Sequence, residues 1–365
     1  MLARMYLWGL SLLPHLGSVT IRRLVKAMGS EAAAFHATRA KLGAYANLGA
    51  TQVEAIVEAR ATLDLRSEWE KLHRQGNVRL VTWLDSDYPS RLQEIYDPPP
   101  VLYYRGELAC LQHPTIAIVG RRRPTPRGLG WARRLGRDLA ASGITVVSGL
   151  ALGIDAAAHE GSMQTGKTVA VLGTGLDITY PRSNRGLALE IARQGVLLTP
   201  FPLGTMPRRG NFPARNRIIS GLSMGTIVVE AGERSGALIT AAMAVEQNRD
   251  VYAIPGDPGD VGAQGPNRLI QEGAKLIRGA QDVLDEMQLS RQLILPLPEL
   301  DSAKSHVGVS DVSRKLLEHL SEPLHVDDLV ARTGIAVSCV SSSLLQLELA
   351  GLVEKLDVGV FQRVG

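Results

Sequence analysis

Apolar residues in the first 75 positions recur at helical spacing. Leu12, Leu13 and Leu16 precede a Gly17-Ser18-Val19-Thr20 break, and Ile21, Leu24, Val25 and Met28 then share one helical face. From residue 78 the spacing changes. Residues 78–83 and 101–104 are strand-like, with Tyr88-Pro89 and Pro98-Pro99-Pro100 as breakers between them. Apolar, β-branched runs then alternate with helical stretches, at 115–119, 144–147, 168–172, 196–198, 226–229, 251–254 and 275–277. Such runs are buried on both sides, so the alternation predicts an α/β, Rossmann-like, doubly wound and mostly parallel sheet covered by helices on both faces.

Residues 288–309, with Pro296 and Pro298, have linker composition. After them the pattern gives three helices, at 312–320, 326–333 and 337–351, then a hairpin from 352–355 and 359–362, the order of a winged helix. A chain of 365 residues exceeds what one core usually serves. Four segments are expected: a small helical domain over 1–75, the sheet domain over 76–287, a linker over 288–309 and a winged helix over 310–365. In the first of these, the spacing of Leu13, Leu16, Gly17, Thr20 and Leu24 resembles a helix-hairpin-helix, a unit that often touches a DNA backbone through amides at a helix N-terminus. A helical bundle used for packing or dimer contacts fits the same residues.

A net charge of +4 and a pI near 9.1 permit nucleic-acid binding without requiring it. Distribution is more informative, because the basic excess sits in the middle of the chain and the last 56 residues or so are acidic. Cys110 and Cys339 lie far apart with no Cys-x-x-Cys partner, so neither a disulfide framework nor a zinc site is supported, and a cytoplasmic location is expected. The start of the chain carries Arg4 and a short apolar run that continues into Pro14-His15-Leu16-Gly17 as folded helix, without a cleavage pattern. No apolar run approaches the ~20 residues of a spanning helix, so no membrane association is expected.

In a doubly wound sheet, ligands bind beyond the carboxyl ends of the strands, where helix N-termini expose free N–H groups. Five strand exits here carry glycine: Gly120-Arg121-Arg122-Arg123, Ser148-Gly149-Leu150, Gly173-Thr174-Gly175, Ser235-Gly236 and Pro255-Gly256-Asp257. A dinucleotide site would show Gly-x-Gly-x-x-Gly with an acid about twenty residues on. Arginines replace that spacing, which favours the phosphates of a polymer over NAD. Arg133, Arg134 and Arg137 read as a solvated helix face. Asp155 and His159 are four apart and conceivable as an acid/base pair, but a helix cap and a structural histidine account for them better. No cluster implies a metal, and no cofactor or catalytic residue is expected. The densest chemistry lies in residues 210–220, where Phe212, Arg215, Asn216 and Arg217 surround a helix start and no acid occurs between Glu190 and Glu230. Guanidinium forks match phosphate oxygens, a phenyl face takes a stacked base, and an amide reads a base edge.

Read together, these motifs resemble the DNA-processing protein DprA (Smf) family. The resemblance runs colinearly from about residue 88 to 280. It rests on Pro98-Pro99-Pro100-Val101-Leu102-Tyr103, Ile118-Val119-Gly120-Arg121-Arg122, Ser148-Gly149-Leu150-Ala151 with Gly153-Ile154-Asp155 and His159, Gly173-Thr174-Gly175 with Tyr180-Pro181, Phe212-Pro213-Ala214-Arg215-Asn216-Arg217, and Ser235-Gly236-Ala237. It implies a recombination mediator of natural transformation that binds and protects incoming single-stranded DNA, usually as a homodimer, and loads the recombinase RecA. It also implies a DNA pocket lined by Arg122, Arg182, Phe212, Arg215, Asn216 and Arg217. Arg121 stands where the family has a small residue, Leu152 where arginine is common, and Thr199-Pro200 where Ser-Glu is typical. The alternative function is a nucleotide-processing enzyme of a related Rossmann-like fold, whose Pro-Gly-Gly-x-Gly-Thr-x-x-Glu loop Pro255-Gly256-Asp257-Pro258-Gly259 matches only loosely. The candidate recognition helix of the winged helix has no Lys or Arg between Val337 and Leu345, so that domain is expected to contact protein, or DNA only weakly.

Overall fold

A computed structural model describes residues 2–74, 78–293, 311–349, 352–357 and 359–363. The chain divides into two compact units, Met1–Leu293 and Ile294–Gly365. In the first, six helices come first: α1 (Leu2–Leu12), α2 (Ser18–Met28), α3 (Glu31–Phe35), α4 (Arg39–Ala46), α5 (Ala50–Thr62) and α6 (Leu65–Arg74). Capping explains the breaks. Thr38 accepts from the amide of Lys41 at the start of α4, and Gly29 closes α2 at φ 80°, a conformation that suits a residue without Cβ. The expected break at 17–20 falls earlier, because Ser18, Val19 and Thr20 already form the first turn of α2, and the bend is made by residues 13–17 with His15 at φ 60°.

A nine-stranded sheet follows. Its strands are β1 (Arg79–Thr82), β2 (Val101–Gly106), β3 (Thr115–Val119), β4 (Thr145–Ser148), β5 (Thr168–Val171), β6 (Val196–Thr199), β7 (Gly225–Val228), β8 (Asp250–Ala253) and β9 (Lys275–Leu276). The connecting helices are α7 (Ser90–Gln93), α8 (Pro126–Ala141), α9 (Ile154–Ser162), α10 (Arg185–Gln194), α11 (Asn211–Leu222), α12 (Gly236–Glu246), α13 (Gln264–Gln271) and α14 (Ala280–Leu293). Strand order is β1-β2-β6-β5-β4-β3-β7-β8-β9, parallel from β6 to β9, with β1 and β2 antiparallel at one edge. The fold is thus the expected Rossmann-like α/β sheet.

Alternation along the strands sorts the cores. Ile116 and Ile118 point to α8 and α9, whereas Ala117 and Val119 point to α11 and α12. Gly136 on α8 and Gly161 on α9 let these helices approach until backbone meets backbone. The six amino-terminal helices share a core with the β1-β2 edge, because Trp8 and Tyr103 are both buried and the indole N–H donates to the phenol oxygen at 2.7 Å. Arg4 adds a hydrogen bond to the Leu80 carbonyl and an ion pair with Asp85.

The second unit comprises α15 (Asp311–His319), β10 (Leu324–His325), α16 (Val326–Thr333), α17 (Val337–Leu349), β11 (Val353–Asp357) and β12 (Val360–Arg363). Leu316, Leu329, Val340, Leu344 and Phe361 form its core, and the three strands pair as β10-β12-β11. This is a winged helix, with one short strand more than the sequence pattern shows. Of the expected linker, residues 288–293 belong to α14, and 294–309 lie outside the described residues.

Tyr103→Phe tests the seam between the helical layer and the sheet. It leaves the buried Trp8 N–H without its partner, so the first unit should lose about 1–3 kcal/mol, read as a lower urea midpoint. An unchanged midpoint would show that the indole finds another acceptor.

Candidate nucleic-acid interface

Because the chain runs outward from β3 to β6 and then returns to β7 on the other side of β3, the sheet has its topological switch between β3 and β7. A crevice opens there beyond the carboxyl ends of the strands. The β3 exit is pinned by Glu230. Its carbonyl accepts from Arg121 N at 2.9 Å, and its carboxylate accepts from the amide and hydroxyl of Thr125. Gly120 has no room for a Cβ, which would meet Ile154 at 2.6 Å. This turn leaves Arg122 exposed at the crevice, while Arg121 is directed toward Gly262 on the far side.

The β4 exit is shaped from below. Ser148 is buried and its hydroxyl donates to the Ile118 carbonyl at 2.6 Å. Leu150 follows at φ 55°, an unfavourable conformation for a leucine, and its N–H donates to Nε2 of the buried His159 at 3.4 Å. Thr168 gives its hydroxyl proton to the Val146 carbonyl, so the 2.7 Å contact between its oxygen and His159 Nδ1 assigns the ring proton to Nδ1. His159 is therefore neutral, and burial first, with the nearby Arg215 charge second, lowers its pKa to about 3. Asp155 does not cap α9. Its carboxylate instead accepts from the amides of Gly149 and Ala151 at 3.1 and 3.4 Å, tying down the loop.

From α11, Arg215 enters behind this loop. It is 5% exposed, and Nη1 donates to the Val171 carbonyl at 3.1 Å. A Cβ at position 149 would coincide with its guanidinium, so only glycine admits it. Burial lowers the Arg215 pKa to about 10, opposed by the Asp155 charge, and burial pushes the Asp155 carboxyl up against the pull of Arg215 and the two amides. Arg215 Nε is buried and has no partner. Phe212, three residues before it on α11, carries Arg122 Cζ over its ring at 5.4 Å and packs against Tyr180 at 5.7 Å between centroids.

Two adjoining cavities result. One, of about 40 Å³, lies among Arg122, Gly149, Gly173, Tyr180, Phe212 and Arg215. The other, of about 280 Å³, is bounded by Gly120, Arg122, Asp155, Phe212, Arg215 and Asn216, and by Ser235 and Gly236 at the start of α12. Nine of the expected residues thus converge: Gly120, Arg122, Gly149, Gly173, Phe212, Arg215, Asn216, Ser235 and Gly236.

Five others do not. Arg121 and Ser148 are placed as described. Gly175 binds the Thr205 carbonyl through its amide, and Arg182 is exposed outside both cavities. Arg217 is turned away and paired with Asp97. The four arginines expected to line the pocket therefore reduce to Arg122 and Arg215. Residues that the motif reading did not place are the second aromatic wall, Tyr180 with its cis Pro181, and Asp155 on the cavity floor. Proximity of Tyr180-Pro181 to the β5 exit was the available signal. Arg133 and Arg137 are exposed and paired with Glu160 and Asp138, a helix face as expected. The Pro255-Gly256-Asp257 exit borders a separate cavity of about 50 Å³ with Glu230 and Asp260. Among the described residues no group of three or more His, Cys, Asp or Glu is placed to hold a metal, and no helix is long and apolar enough to cross a membrane.

Comparison with known proteins agrees with this geometry. The family described as DNA recombination-mediator protein A matches residues 79–288, and the DprA winged helix domain matches residues 295–357. The Protein Smf of Synechocystis is 40% identical over 95% of both chains. The X-ray structure of DNA processing protein A from Streptococcus pneumoniae superposes with a TM-score of 0.70 at 37% identity, covering 77% of this chain and 97% of that one. A Helicobacter pylori DNA processing protein A, whose structure is described by its single-stranded DNA binding mode, gives 0.54 at 31% identity, covering 58% and 96%.

The state of His159 sets a pH dependence. Below its unfolded value of 6.5 the unfolded chain takes up a proton that the folded chain refuses until about 3, so stability falls as pH drops through that window. Asp155, with its folded value raised, acts in the opposite sense. Between pH 6.5 and about pH 5 the His159 contribution amounts to roughly 2 kcal/mol. Urea denaturation across this range should show that loss in the wild type and a flatter profile in His159→Gln. Parallel profiles would mean that His159 takes up a proton in the fold as readily as in the unfolded chain.

Proposed function

The chain belongs to the DNA recombination-mediator protein A family, and we propose that it binds single-stranded DNA at the β3-β7 crevice without cleaving it. The observation that carries this reading is the buried Arg215 beside Phe212 and Arg122. A fixed cation, a mobile cation and an aromatic face within one pocket match a phosphodiester strand with an unstacked base. In this reading Arg122 leaves the Phe212 face for a phosphate, a base takes its place between Phe212 and Tyr180, and Asn216 offers an amide to a base edge. The amides at the start of α12 receive a further phosphate.

The same reading extends to a homodimer in the cytoplasm that shields incoming DNA during natural transformation and loads RecA on it. Support for that extension comes from the family. Catalysis has little to draw on: His159 has both ring nitrogens engaged and no exposure, and the loop closest to a nucleotide-hydrolase motif lies in another cavity. In the winged helix, α17 carries no Lys or Arg, so we assign it a protein-contacting role.

Fluorescence anisotropy with a short poly-dT strand and its matching duplex, across a salt series, tests the pocket. Phe212→Ala should weaken single-strand binding by about 5- to 150-fold, the equivalent of ~1–3 kcal/mol of stacking. Arg122→Ala should flatten the salt slope by about 0.7. Competition by nucleoside monophosphates as strong as by the oligonucleotide would favour a nucleotide enzyme instead. Removal of residues 310–365 should leave these affinities within about twofold; loss of most duplex affinity would return the winged helix to DNA binding.

A further inference from the structure

Most cations of the amino-terminal helices have a partner. Arg4 pairs with Asp85 and Arg39 with Glu54. Arg66 and Arg74 share Glu70, and Lys71 meets Glu68. Arg60 is held by the carbonyls of Phe35 and Ala37. The exception is α2, with Lys41 on the neighbouring α4. Arg22, Arg23 and Lys26 are exposed, α2 contains no acid, and among the described residues none of the three meets a carboxylate. At spacings of three and four residues they repel one another on one helix face, a cost that no local anion relieves.

This face is continuous with the sheet domain. Arg22 Cζ lies over the Trp83 ring at 5.4 Å, and the Trp83 amide donates to the Pro100 carbonyl. The same proline segment begins at Asp97, the partner of Arg217, and is fastened by Tyr88, whose hydroxyl donates to the Pro99 carbonyl at 2.8 Å. Burial raises the Tyr88 pKa, and the charges of Arg217 and Arg22 oppose that rise. Arg217 follows Asn216 of the pocket wall on α11. Tyr96, beside Asp97, is 81% exposed. A band therefore runs from the pocket past the Arg217–Asp97 ion pair and the exposed Tyr96 to the half-buried Trp83 and the cations of α2.

We propose that this band is a second contact for nucleic acid, in which a single strand leaving the β3-β7 crevice lays its backbone on Arg22, Arg23 and Lys26 of α2. The proposal rests on the pocket being the primary site. The cations of α2, with the Trp83 and Tyr96 rings beside them, suit a flexible polyanion whose bases are unstacked, and sequence plays no part in the contact.

The test uses the full chain, Arg23→Ala/Lys26→Ala, and poly-dT strands of about 6 and about 30 nucleotides, the shorter sized to fill the pocket alone. For the longer strand the variant should lose about tenfold in affinity at moderate salt, and its salt slope should fall by about 1.4, while the shorter strand binds as in wild type. Alanine is the best helix former, so an unchanged thermal transition is expected and excludes unfolding as the cause. Equal binding of the longer strand by variant and wild type overturns the second contact, as does an equal loss for both lengths. Loss of binding to anionic phospholipid vesicles with DNA binding intact assigns the face to a membrane and also overturns it. If wild type binds neither strand, the pocket reading fails and takes this inference with it; if the short strand binds and the long one is indifferent to α2, only this inference fails.

Discussion

Arg215 reaches the Val171 carbonyl through the space that a side chain at position 149 would fill, and the geometry of the crevice depends on that passage. A guanidinium held among strand ends has lost most of its hydration, and that burial lowers its pKa. Asp155 offsets part of it and is itself disfavoured by burial. Such an arrangement stabilises a fold poorly, since a buried charge pair repays its desolvation only with good geometry and complete hydrogen bonding, and here Arg215 Nε has no partner. What it supplies is a positive charge already fixed at the cavity wall, a donor that in the proposed reading meets a phosphate without reorganisation.

The strained β4 loop follows from the same constraint. To place Gly149 over the guanidinium, the chain turns at Leu150 with positive φ, and that turn is held from three sides. His159 takes the Leu150 amide, Asn184 donates to its carbonyl at 3.0 Å, and Asp155 takes the amides before and after it. The histidine acts through a tautomer that Thr168 dictates, one strand deeper in the sheet. Residues that look catalytic by type are occupied in presenting the loop, and Arg122 and Phe212, which face the cavity, have no structural duty of that kind.

The sheet was legible because its strands are buried on both faces. Runs such as 115–119 and 168–172 are apolar without interruption after a leading threonine, and that pattern has few other uses. The pocket was legible in its glycines and in Phe212 and Arg215, which the local motif places at a helix start. Arg217 was not, because its partner Asp97 lies 120 residues earlier and no local pattern announces the pairing. Asp155 was misplaced for a related reason. An acid at a helix start ordinarily caps that helix, but Gly153 at φ 79° redirects the chain and leaves the carboxylate facing the preceding loop.

Charge placement separates two groups of arginines. Arg133 and Arg137 of α8 and Arg66 and Arg74 of α6 meet acids within a turn or on the next helix. Arg122 rests on an aromatic ring that it can leave at little cost, since a cation–π contact at an exposed site is worth about 0.5–1 kcal/mol. In the proposed reading a phosphate draws this cation away, and its departure uncovers the ring face for a base. Binding of phosphate and binding of base are therefore coupled through one side chain. A strand with both groups gains from the exchange, whereas a free phosphate or a free base obtains only half of it. In the proposed reading, a preference for a polymer of nucleotides follows from where Arg122 rests, over the Phe212 ring.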